Sequence, residues 1–372
     1  MLYLDNSSTT PVYPEVLEAM LPYFLEEFGN PSSKYYSLAE NSKNAVEQAR
    51  EQLSKFFNCS STELYFTSGA TESNNWILKS VSSSLPDHQV ITTVAEHSSN
   101  LEIAKYLSEH LKIHVEYLTV DQFGRIDFSE LESLLKKRPT SLVSIIWGNN
   151  ELGSLNDIQR ASELAAQYGS LFHTDATHVV GKMKINLSEL TNVHFLSASA
   201  HKFNGPKGIG VAYMQKDEDG IPRKLTPLIH GGGQEQGVRG GTLAVPLIVG
   251  MGKAAEMHQA SLSKNIQKLQ KLEQHLVQLL SQKFGSNIRF NSDHIDKIPG
   301  IVNVQFVGIN NEVLVKQLAP VMAVSTGSAC SSSKPSHVLQ AIGLTLDEVR
   351  SSIRFSLSSS ISSKDLDIFK EL

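Results

Sequence analysis

The chain has 372 residues, of which 40% are hydrophobic and 19% charged, with a formal net charge of −5 at pH 7. These values are ordinary for a globular protein with a sizeable core, and the length predicts two domains. The small negative charge gives no reason to expect nucleic acid or an anionic membrane as a direct partner, and no apolar run reaches the roughly 18 residues needed to cross a bilayer.

The N-terminal stretch MLYLDNSSTT has neither the basic region nor the apolar region of a secretory signal. The chain has two cysteines, too few for a disulfide framework or for a zinc site without histidine or carboxylate ligands. These features predict a cytoplasmic protein in which a functional cysteine would act as a thiol. No metal site is expected from the chain alone.

Short apolar runs alternate with helical patterns from about residue 63 to 215. Strands are predicted at ELYFTSG (63–69), QVITTVAEH (89–97), HVEYLTV (114–120), SLVSIIWGNN (141–150), SLFHTDA (170–176), VHFLSASA (193–200) and IGVAYM (209–214). Helices are predicted after the first two strands and over residues 157–169. This alternation, with nearly all-apolar strands, is typical of an α/β fold with a mainly parallel sheet covered on both faces. Ligands bind such sheets beyond the carboxyl ends of the strands.

The alternation ends after a Gly-rich stretch at residues 230–241. A long helical pattern and several short elements follow: a helix over 251–284, strands at 288–291, 300–308 and 352–358, and a helix near 311–319. We therefore predict a large domain over residues 16–250 and a smaller α+β domain over residues 251–372, which residues 1–15 join.

The segment FTSGATES places Gly69, Ala70 and Thr71 at a turn between a strand and a helix. Small residues at such a turn let backbone N–H groups approach a phosphate, and the helix N-terminus adds positive potential. The same residues could also form nothing more than a tight turn.

Asp175 ends one predicted strand, and Lys202 follows a later one in AHKFNGPKG. Taken singly, Asp175 could cap a helix and Lys202 could be a solvated surface charge. Together, an acid that holds a pyridinium N–H and a lysine that forms a Schiff base are the minimal equipment for pyridoxal phosphate. Ser199 and His201 flank the same strand end and offer hydrogen-bond donors to the phosphate that Thr71 would bind.

Two further residues have both a structural and a functional interpretation. His97 could be a core histidine, or it could lie over an aromatic ring and move protons near neutral pH. Arg354 lies in the apolar strand pattern SIRFSLS, where an unpaired guanidinium is costly. A carboxylate that accepts two parallel hydrogen bonds would compensate, and it could belong to a structural Asp or Glu or to a substrate.

The two cysteines differ in their surroundings. Cys59, in FFNCSST, is expected to be a partly buried thiol without a role. Cys330 lies in VSTGSACSSSKPSHVL (324–339) among small residues that cannot bury it. Such a segment suits a mobile loop that carries a nucleophilic thiolate to a site, and nearby positive charge would favour the thiolate. A flexible Ser-rich loop with an incidental cysteine is the alternative.

Ten segments of the chain resemble one family, the pyridoxal-phosphate-dependent cysteine desulfurases of the NifS/IscS type, within the class V aminotransferases. In chain order they are YLDNSSTTP, GNPSS, FTSGATES, AEH, NNELG, HTDATH, SAHKFNGPKG, HGGGQEQGVRGGT, GSACSS and SSIRFS, and they cover almost the whole chain. The resemblance implies the fold-type I architecture of these transferases. It also implies removal of sulfur from L-cysteine, giving L-alanine and a persulfide on Cys330.

The resemblance implies a role for each matching residue. Lys202 would hold the cofactor and later move protons, Asp175 would pair with the ring nitrogen, and His97 would stack on the ring and shuttle protons. The implied phosphate ligands are Ala70, Thr71, Ser199, His201 and, in the other subunit of a homodimer, Thr242. The remaining contacts are Asn150 near the ring hydroxyl and substrate, and Asn30 and Arg354 at the substrate carboxylate.

One position departs from the family pattern, which usually reads Asp-Ala-Thr/Ala-Gln with the glutamine at the ring hydroxyl of the cofactor. Here the residues are Asp175, Ala176, Thr177 and His178. His178 can still donate a hydrogen bond to the cofactor, but its charge depends on pH. The segment after Cys330 also looks shorter than in housekeeping bacterial enzymes, which leaves its sulfur acceptor open.

The implied partners are L-cysteine, a second copy of the chain and a sulfur-acceptor protein. Iron–sulfur scaffolds, tRNA thiolation enzymes and DNA phosphorothioation systems all draw on this family, and the loop thiol could transiently share an iron with a scaffold. A selenocysteine lyase or another lyase or aminotransferase of the same fold is the alternative. A sulfur-handling scaffold without turnover is a third interpretation, against which Lys202, Asp175 and Cys330 argue.

Overall fold

The computed structural model describes residues 1–217, 219–223, 225–327 and 334–371. The strands in these ranges are β1 (Leu2–Tyr3), β2 (Leu64–Thr67), β3 (Gln89–Thr93), β4 (Val115–Leu118), β5 (Thr140–Ser144), β6 (Leu171–Asp175), β7 (Phe195–Ser199), β8 (Gly210–Met214), β9 (Ile288–Phe290), β10 (Ile301–Phe306), β11 (Met322–Ala323) and β12 (Ser352–Ser356). The α-helices are α1 (Pro14–Met20), α2 (Pro22–Leu25), α3 (Ser37–Phe57), α4 (Ala70–Ser84), α5 (Ser98–Leu111), α6 (Phe128–Lys137), α7 (Ile158–Gln167), α8 (Val245–Phe284), α9 (Asn311–Leu318), α10 (His337–Ala341) and α11 (Leu346–Val349).

The largest sheet has the strand order β2-β8-β7-β6-β5-β3-β4. The pairs from β7 to β4 are parallel, and β8 is antiparallel to both of its neighbours. Every residue of β3, β5, β7 and β8 is buried, as expected when helices cover both faces of a sheet. The predicted α/β class with a mainly parallel sheet is therefore confirmed.

Alternate residues of the central strands belong to different hydrophobic clusters. Ile91 and Val143 lie in the cluster that contains α3, whereas Val90 and Leu142 lie in the cluster that contains the apolar face of α4. Because successive side chains of a strand point to opposite faces, the sheet separates two cores.

A smaller antiparallel sheet, β12-β10-β9, lies in the C-terminal part of the chain, and β1 pairs in parallel with β11. The 40-residue helix α8 is shared by two clusters. Its residues up to Ala255 pack in the core of the large sheet, and those from Leu269 to Leu280 pack with the small sheet. This helix begins six residues before its predicted start at 251. The predicted boundary at residue 250 falls inside it, and the domain limits stay a prediction.

The sequence analysis assigned no element to residues 16–62, where the structure has most of α1 and all of α2 and α3. The buried residues of α3, among them Ala45, Ala49 and Leu53, recur at helical spacing and face α8. No helix in the described part of the chain is long and apolar enough to cross a membrane.

The strand directions bring the carboxyl ends of six strands to one edge of the large sheet. Strand β2 is antiparallel to β8, which is antiparallel to β7, so β2 runs in the same direction as β7. The carboxyl ends of β2, β7, β6, β5, β3 and β4 therefore lie along this edge. It is the edge at which open α/β sheets bind ligands.

Candidate active site

A cavity of about 190 Å³ lies at this edge. Most of the predicted site residues line it: Ala70, Thr71, His97, Asn150, Asp175, His178, Ser199, His201, Lys202 and Arg354. The cavity is also lined by residues that the sequence analysis did not select: Ser7, Ser8, Ser99, Ile146 and Thr177. Three predicted residues are not in this set. Asn30 and Thr242 are exposed outside the cavity, and Cys330 lies outside the described residues.

Lys202 ends the short 3-10 turn Ala200–Lys202 that follows β7. Its Nζ donates hydrogen bonds to the backbone carbonyls of Ser7, at 2.6 Å, and Ser8, at 2.7 Å. Two carbonyl acceptors at this distance hold the amine at the cavity wall. The N-terminal segment therefore contributes to the site through its backbone.

Asp175 is the last residue of β6 and is 4% exposed. One carboxylate oxygen accepts from Asn74 Nδ2 at 2.9 Å, and the other accepts from the backbone N–H of Thr177 at 3.0 Å. A donor on each oxygen fixes the plane of the carboxylate. The negative charge is thus held in one orientation on the cavity wall, where it could accept from a cationic ring N–H.

Arg354, on β12, is only 1% exposed. Its Nη2 donates to Asp5 Oδ1 at 2.7 Å and to Ser8 Oγ at 3.4 Å, and its Nη1 donates to the carbonyl of Asn150 at 3.0 Å. Asp5 is therefore the structural acid that the sequence analysis offered as one possible partner of Arg354. The guanidinium also lines the cavity, so the same side chain remains available to a ligand carboxylate.

His97 is the N-cap of α5, and its Nδ1 accepts from the backbone N–H of Ser99 at 3.2 Å. A backbone N–H cannot accept, so Nδ1 is unprotonated and the neutral ring carries its proton on Nε2. Burial lowers the pKa of His97, and the positive charge of Lys202 lowers it further, although Asp175 opposes both. His97 is therefore a neutral ring at pH 7.

The N-terminus of α4 forms the next part of the wall. The backbone N–H of Ala70 donates to Ser199 Oγ at 2.7 Å, which leaves the hydroxyl proton of Ser199 available to a ligand. A Cβ on Gly210 would lie 2.5 Å from the Cα of Gly69, so β8 passes this turn only with glycine at that position. The 15-residue helix directs positive potential to the same place, which suits a phosphate.

Two more histidines face the cavity as neutral rings. Burial lowers the pKa of His201 to about 4, and the charges of Lys202 and Lys207 contribute. Burial also holds the pKa of His178 well below its usual range, again with Lys202 as a contributor. Protonated rings would be repelled by the cations around them, so both histidines can serve as uncharged hydrogen-bond partners.

Several buried polar atoms at the cavity have no hydrogen-bond partner among the described residues. They are Ser7 Oγ, Thr177 Oγ1, His178 Nδ1 and Arg354 Nε. Leaving one such atom unsatisfied costs about 1–3 kcal/mol, so several around one cavity indicate a place for a polar ligand. The wall combines a helix N-terminus, a fixed carboxylate, an amine and a guanidinium. This donor and acceptor set fits pyridoxal phosphate together with an amino acid.

Cys59 is the cysteine within the described ranges, and it does not line the cavity. Burial raises the pKa of the Cys59 thiol to about 12, and Glu63 adds to the shift, so this cysteine is a protonated thiol at neutral pH and a poor nucleophile. Within the described ranges, no group of three histidine, cysteine or acidic side chains could hold a metal ion.

Comparisons with known proteins agree with this geometry. The sequence profile of the aminotransferase class-V family matches residues 2–369. A cysteine desulfurase IscS of Dictyoglomus turgidum is 40% identical, over 98% of this chain and 92% of its own. A solved structure described as a NifS-like protein superimposes with a TM-score of 0.91 at 35% identity, covering 100% of this chain and 97% of the other. A structure of SspA in complex with cysteine gives 0.83 at 35% identity, covering 96% and 99%.

Proposed function

Because the chain belongs to the aminotransferase class-V family, we propose that it is a pyridoxal-phosphate-dependent cysteine desulfurase that converts L-cysteine to L-alanine and leaves a persulfide on Cys330. The observation that carries the proposal is the meeting of Lys202 and Asp175, from the ends of adjacent strands β7 and β6, in one cavity with Arg354. The curated relatives that match at this identity and coverage are named cysteine desulfurases, and one similar structure was solved with cysteine.

Each residue of the cavity has a separate role in the proposed reaction. The cofactor, when bound, supplies a ring that withdraws electrons from an attached amino acid. Lys202 would hold the cofactor and take the proton from the substrate Cα, and Asp175 would keep the ring nitrogen protonated. Neutral His97, with its proton on Nε2, is suited to give or take a proton above the ring. Arg354 would orient the substrate carboxylate, helped by the position that Asp5 gives its guanidinium.

The transfer of sulfur from the substrate to Cys330 requires no external oxidant. The bond between the substrate Cβ and its sulfur breaks, the Cys330 sulfur forms the new S–S bond, and the carbon receives a proton in place of sulfur. Cys330 lies outside the described residues, so its role rests on the sequence. The flanking residues support it, because Ser325 pairs through its backbone with Arg354, and His337 Nε2 lies 2.9 Å from the carbonyl of Glu96.

His178 stands where the family usually has glutamine. Its Nδ1 is buried, faces no partner in the described part of the chain and belongs to a neutral ring. We propose that it donates or accepts one hydrogen bond at the cofactor's ring hydroxyl, and that the pKa shift keeps this contact uncharged at physiological pH.

We further propose that the active form is a homodimer. Thr242 is exposed and does not line the cavity of its own chain, as expected for a residue that binds the phosphate in a second subunit. Large apolar side chains are exposed on α1, on α2 and in the segment after them: Leu17, Leu21, Phe24, Leu25, Phe28, Tyr35 and Tyr36. Apolar exposure of this extent indicates a protein interface. Asn30 lies in the same segment, so its proposed contact with a substrate carboxylate is also expected across the dimer.

Two ion pairs fix the Gly-rich segment that carries Thr242. Arg50 and Glu235 form a bidentate pair with N–O distances of 2.7 and 3.0 Å, and Arg239 pairs with Glu72 of α4 at 2.9 Å. These contacts support the proposal because they would present Thr242 in one position. The sulfur acceptor, its pathway and the cytoplasmic location stay predictions.

The experiment compares Lys202→Ala, Cys330→Ser and the matched control Cys59→Ser in purified protein, with alanine and sulfide measured after adding L-cysteine and a reductant. Lys202→Ala should lose the visible absorption of the bound cofactor and all turnover. Cys330→Ser should keep the absorption but form no sulfide, whereas Cys59→Ser should behave as the unmodified protein. Normal desulfuration by Cys330→Ser would contradict the assignment of the nucleophile. Turnover of selenocysteine but not cysteine would favour the lyase alternative.

A further inference from the structure

Hydrogen bonds hold both chain segments that flank residues 328–333. On one side, the backbone N–H of Arg354 donates to the carbonyl of Ser325 at 2.7 Å, and the N–H of Ser325 donates back at 3.3 Å. On the other side, Ser336 caps α10 by accepting from the backbone N–H of Leu339 at 3.1 Å. We call these flanking segments the stems, residues 325–327 and 336–337.

Glu151 contacts both stems. Its Oε2 accepts from the hydroxyl of Ser336 at 2.5 Å. A Cβ on Gly327 would lie 2.9 Å from the same oxygen, and Gly327 has a φ of +142°, so glycine is required there for both space and backbone conformation. The first stem thus packs directly against the carboxylate that the second stem binds.

Burying this acid is costly. Glu151 is 0% exposed, its Oε1 has no hydrogen-bond partner among the described residues, and burial raises its pKa despite the bond from Ser336 and the charge of Arg354. The cap of α10 does not need it, because Ser336 caps the helix with its own oxygen. The neighbouring residue, Asn150, lines the cavity and accepts from Arg354 through its carbonyl. Because the buried carboxylate of Glu151 lowers stability and is not needed for the helix cap, we expect it to position the two stems.

We propose that Glu151 is a positioning residue that ties the stem 325–327 to the stem 336–337 and so fixes where the chain that carries Cys330 leaves and rejoins the cavity wall. This inference rests on the proposed function, in which Cys330 must reach the substrate sulfur. It assigns a task to the glutamate of NNELG that is separate from cofactor and substrate binding. Displacing a reacting group by about 1 Å can cost up to a hundredfold in rate, so the stems need a rigid attachment.

The test uses the full-length holoenzyme and the variants Glu151→Ala, Glu151→Gln and Ser336→Ala. The matched control is Ser162→Ala, which removes another buried serine whose hydroxyl donates to a backbone carbonyl within α7. Two quantities are measured in a single turnover with L-cysteine: the spectral change of the bound cofactor, which reports substrate binding, and the persulfide on Cys330, quantified by alkylation and mass spectrometry.

Glu151→Ala and Ser336→Ala should form the persulfide about tenfold more slowly, while the spectral change keeps its amplitude and its dependence on cysteine concentration. Glu151→Gln keeps an acceptor for Ser336 and should recover part of the rate, and Ser162→Ala should match the unmodified enzyme. The inference would be overturned if Glu151→Ala and Ser336→Ala both formed the persulfide at the rate of the unmodified enzyme. Loss of the spectral change in both would overturn it as well, because Glu151 would then support the cavity itself. Absence of persulfide in the unmodified enzyme would instead overturn the proposed function, and this failure appears without any variant.

Discussion

Replacing Glu235 by alanine tests whether the buried pair with Arg50 holds the Gly-rich segment in place. The side chains of Glu235 and Arg50 are 1% and 10% exposed. Glu235 also accepts from the backbone N–H of Phe66 at 2.8 Å, so the substitution removes three charge-assisted hydrogen bonds. Breaking a buried pair from one side costs about 3–5 kcal/mol. Arg50 would keep the carbonyl of Leu64 at 2.7 Å and the ring of Phe66 at 4.6 Å, which places the expected loss near the lower end, at about 3 kcal/mol.

The chain offers a matched control in Glu47, which pairs with the same arginine at 3.4 Å but is 56% exposed. Such a surface pair contributes about 0–1 kcal/mol, so Glu47→Ala should hardly change stability. For a protein of 372 residues, about 3 kcal/mol corresponds to a decrease of roughly 4 °C in the thermal midpoint. The assay is thermal unfolding of both variants with bound cofactor, followed by circular dichroism.

Glu235→Ala should also release cofactor more readily on dialysis, because Thr242 lies seven residues further along the segment that the pair anchors. Equal midpoints for Glu235→Ala and Glu47→Ala would refute the reasoning on stability. An unchanged rate of cofactor loss with a lowered midpoint would refute the link to Thr242.

Two further predictions concern pH and the cofactor. Burial lowers the pKa of His173 and of His258 to about 4, so between pH 6.5 and 4 the folded state binds fewer protons than the unfolded state, and the free energy of unfolding falls as the pH is lowered through this window. Each histidine lowers the free energy of unfolding by on the order of 3 kcal/mol across this window. Glu96 partly offsets this loss, because burial raises its pKa to about 8. Thermal midpoints measured from pH 7 to 4 should therefore fall steeply, and less so in His258→Gln. Asn74→Ala removes one of the two donors to Asp175 and should weaken cofactor binding about tenfold in a fluorescence titration, with the thermal midpoint of the cofactor-free protein little changed.

The side chains that carry chemistry at the strand ends were predictable from sequence. Asp175 and Lys202 follow apolar runs that fold as adjacent parallel strands, and parallel strands bring their carboxyl ends to one edge. The sequence pattern therefore predicts that the two side chains lie close together. The central sheet was predictable for the same reason, since its strands are short, apolar and regularly spaced.

Contributions made by the backbone were not predictable. Ser7 and Ser8 hold Lys202 through their carbonyl oxygens, which every residue type possesses, so no side-chain pattern indicates them. The sequence did indicate that Arg354 needed an acidic partner. It could not identify Asp5, which lies 349 residues away, because tertiary packing alone brings the two together.

Helices α1, α2 and α3 were left out of the sequence analysis for a different reason. Helix α1 buries only Val16 and Met20, α2 has no fully buried residue, and α3 carries many charged and polar residues beside its small buried alanines. The buried face of α3 packs against α8, but the sequence analysis did not assign its pattern of small residues to a helix. Their assignment required knowledge of the surface against which they pack.

The segment of residues 5–8 has a consequence for how the enzyme matures in the cell. Asp5 pairs with Arg354, and the backbone N–H of Asn6 donates to the carbonyl of Ser356, so both contacts join residues about 350 positions apart in the chain. Both contacts therefore form only after residue 356 has left the ribosome, and contacts so distant in sequence form slowly. The proposed cofactor should accordingly bind only after these contacts have formed, because Ser7, Ser8 and Arg354 all line the cavity.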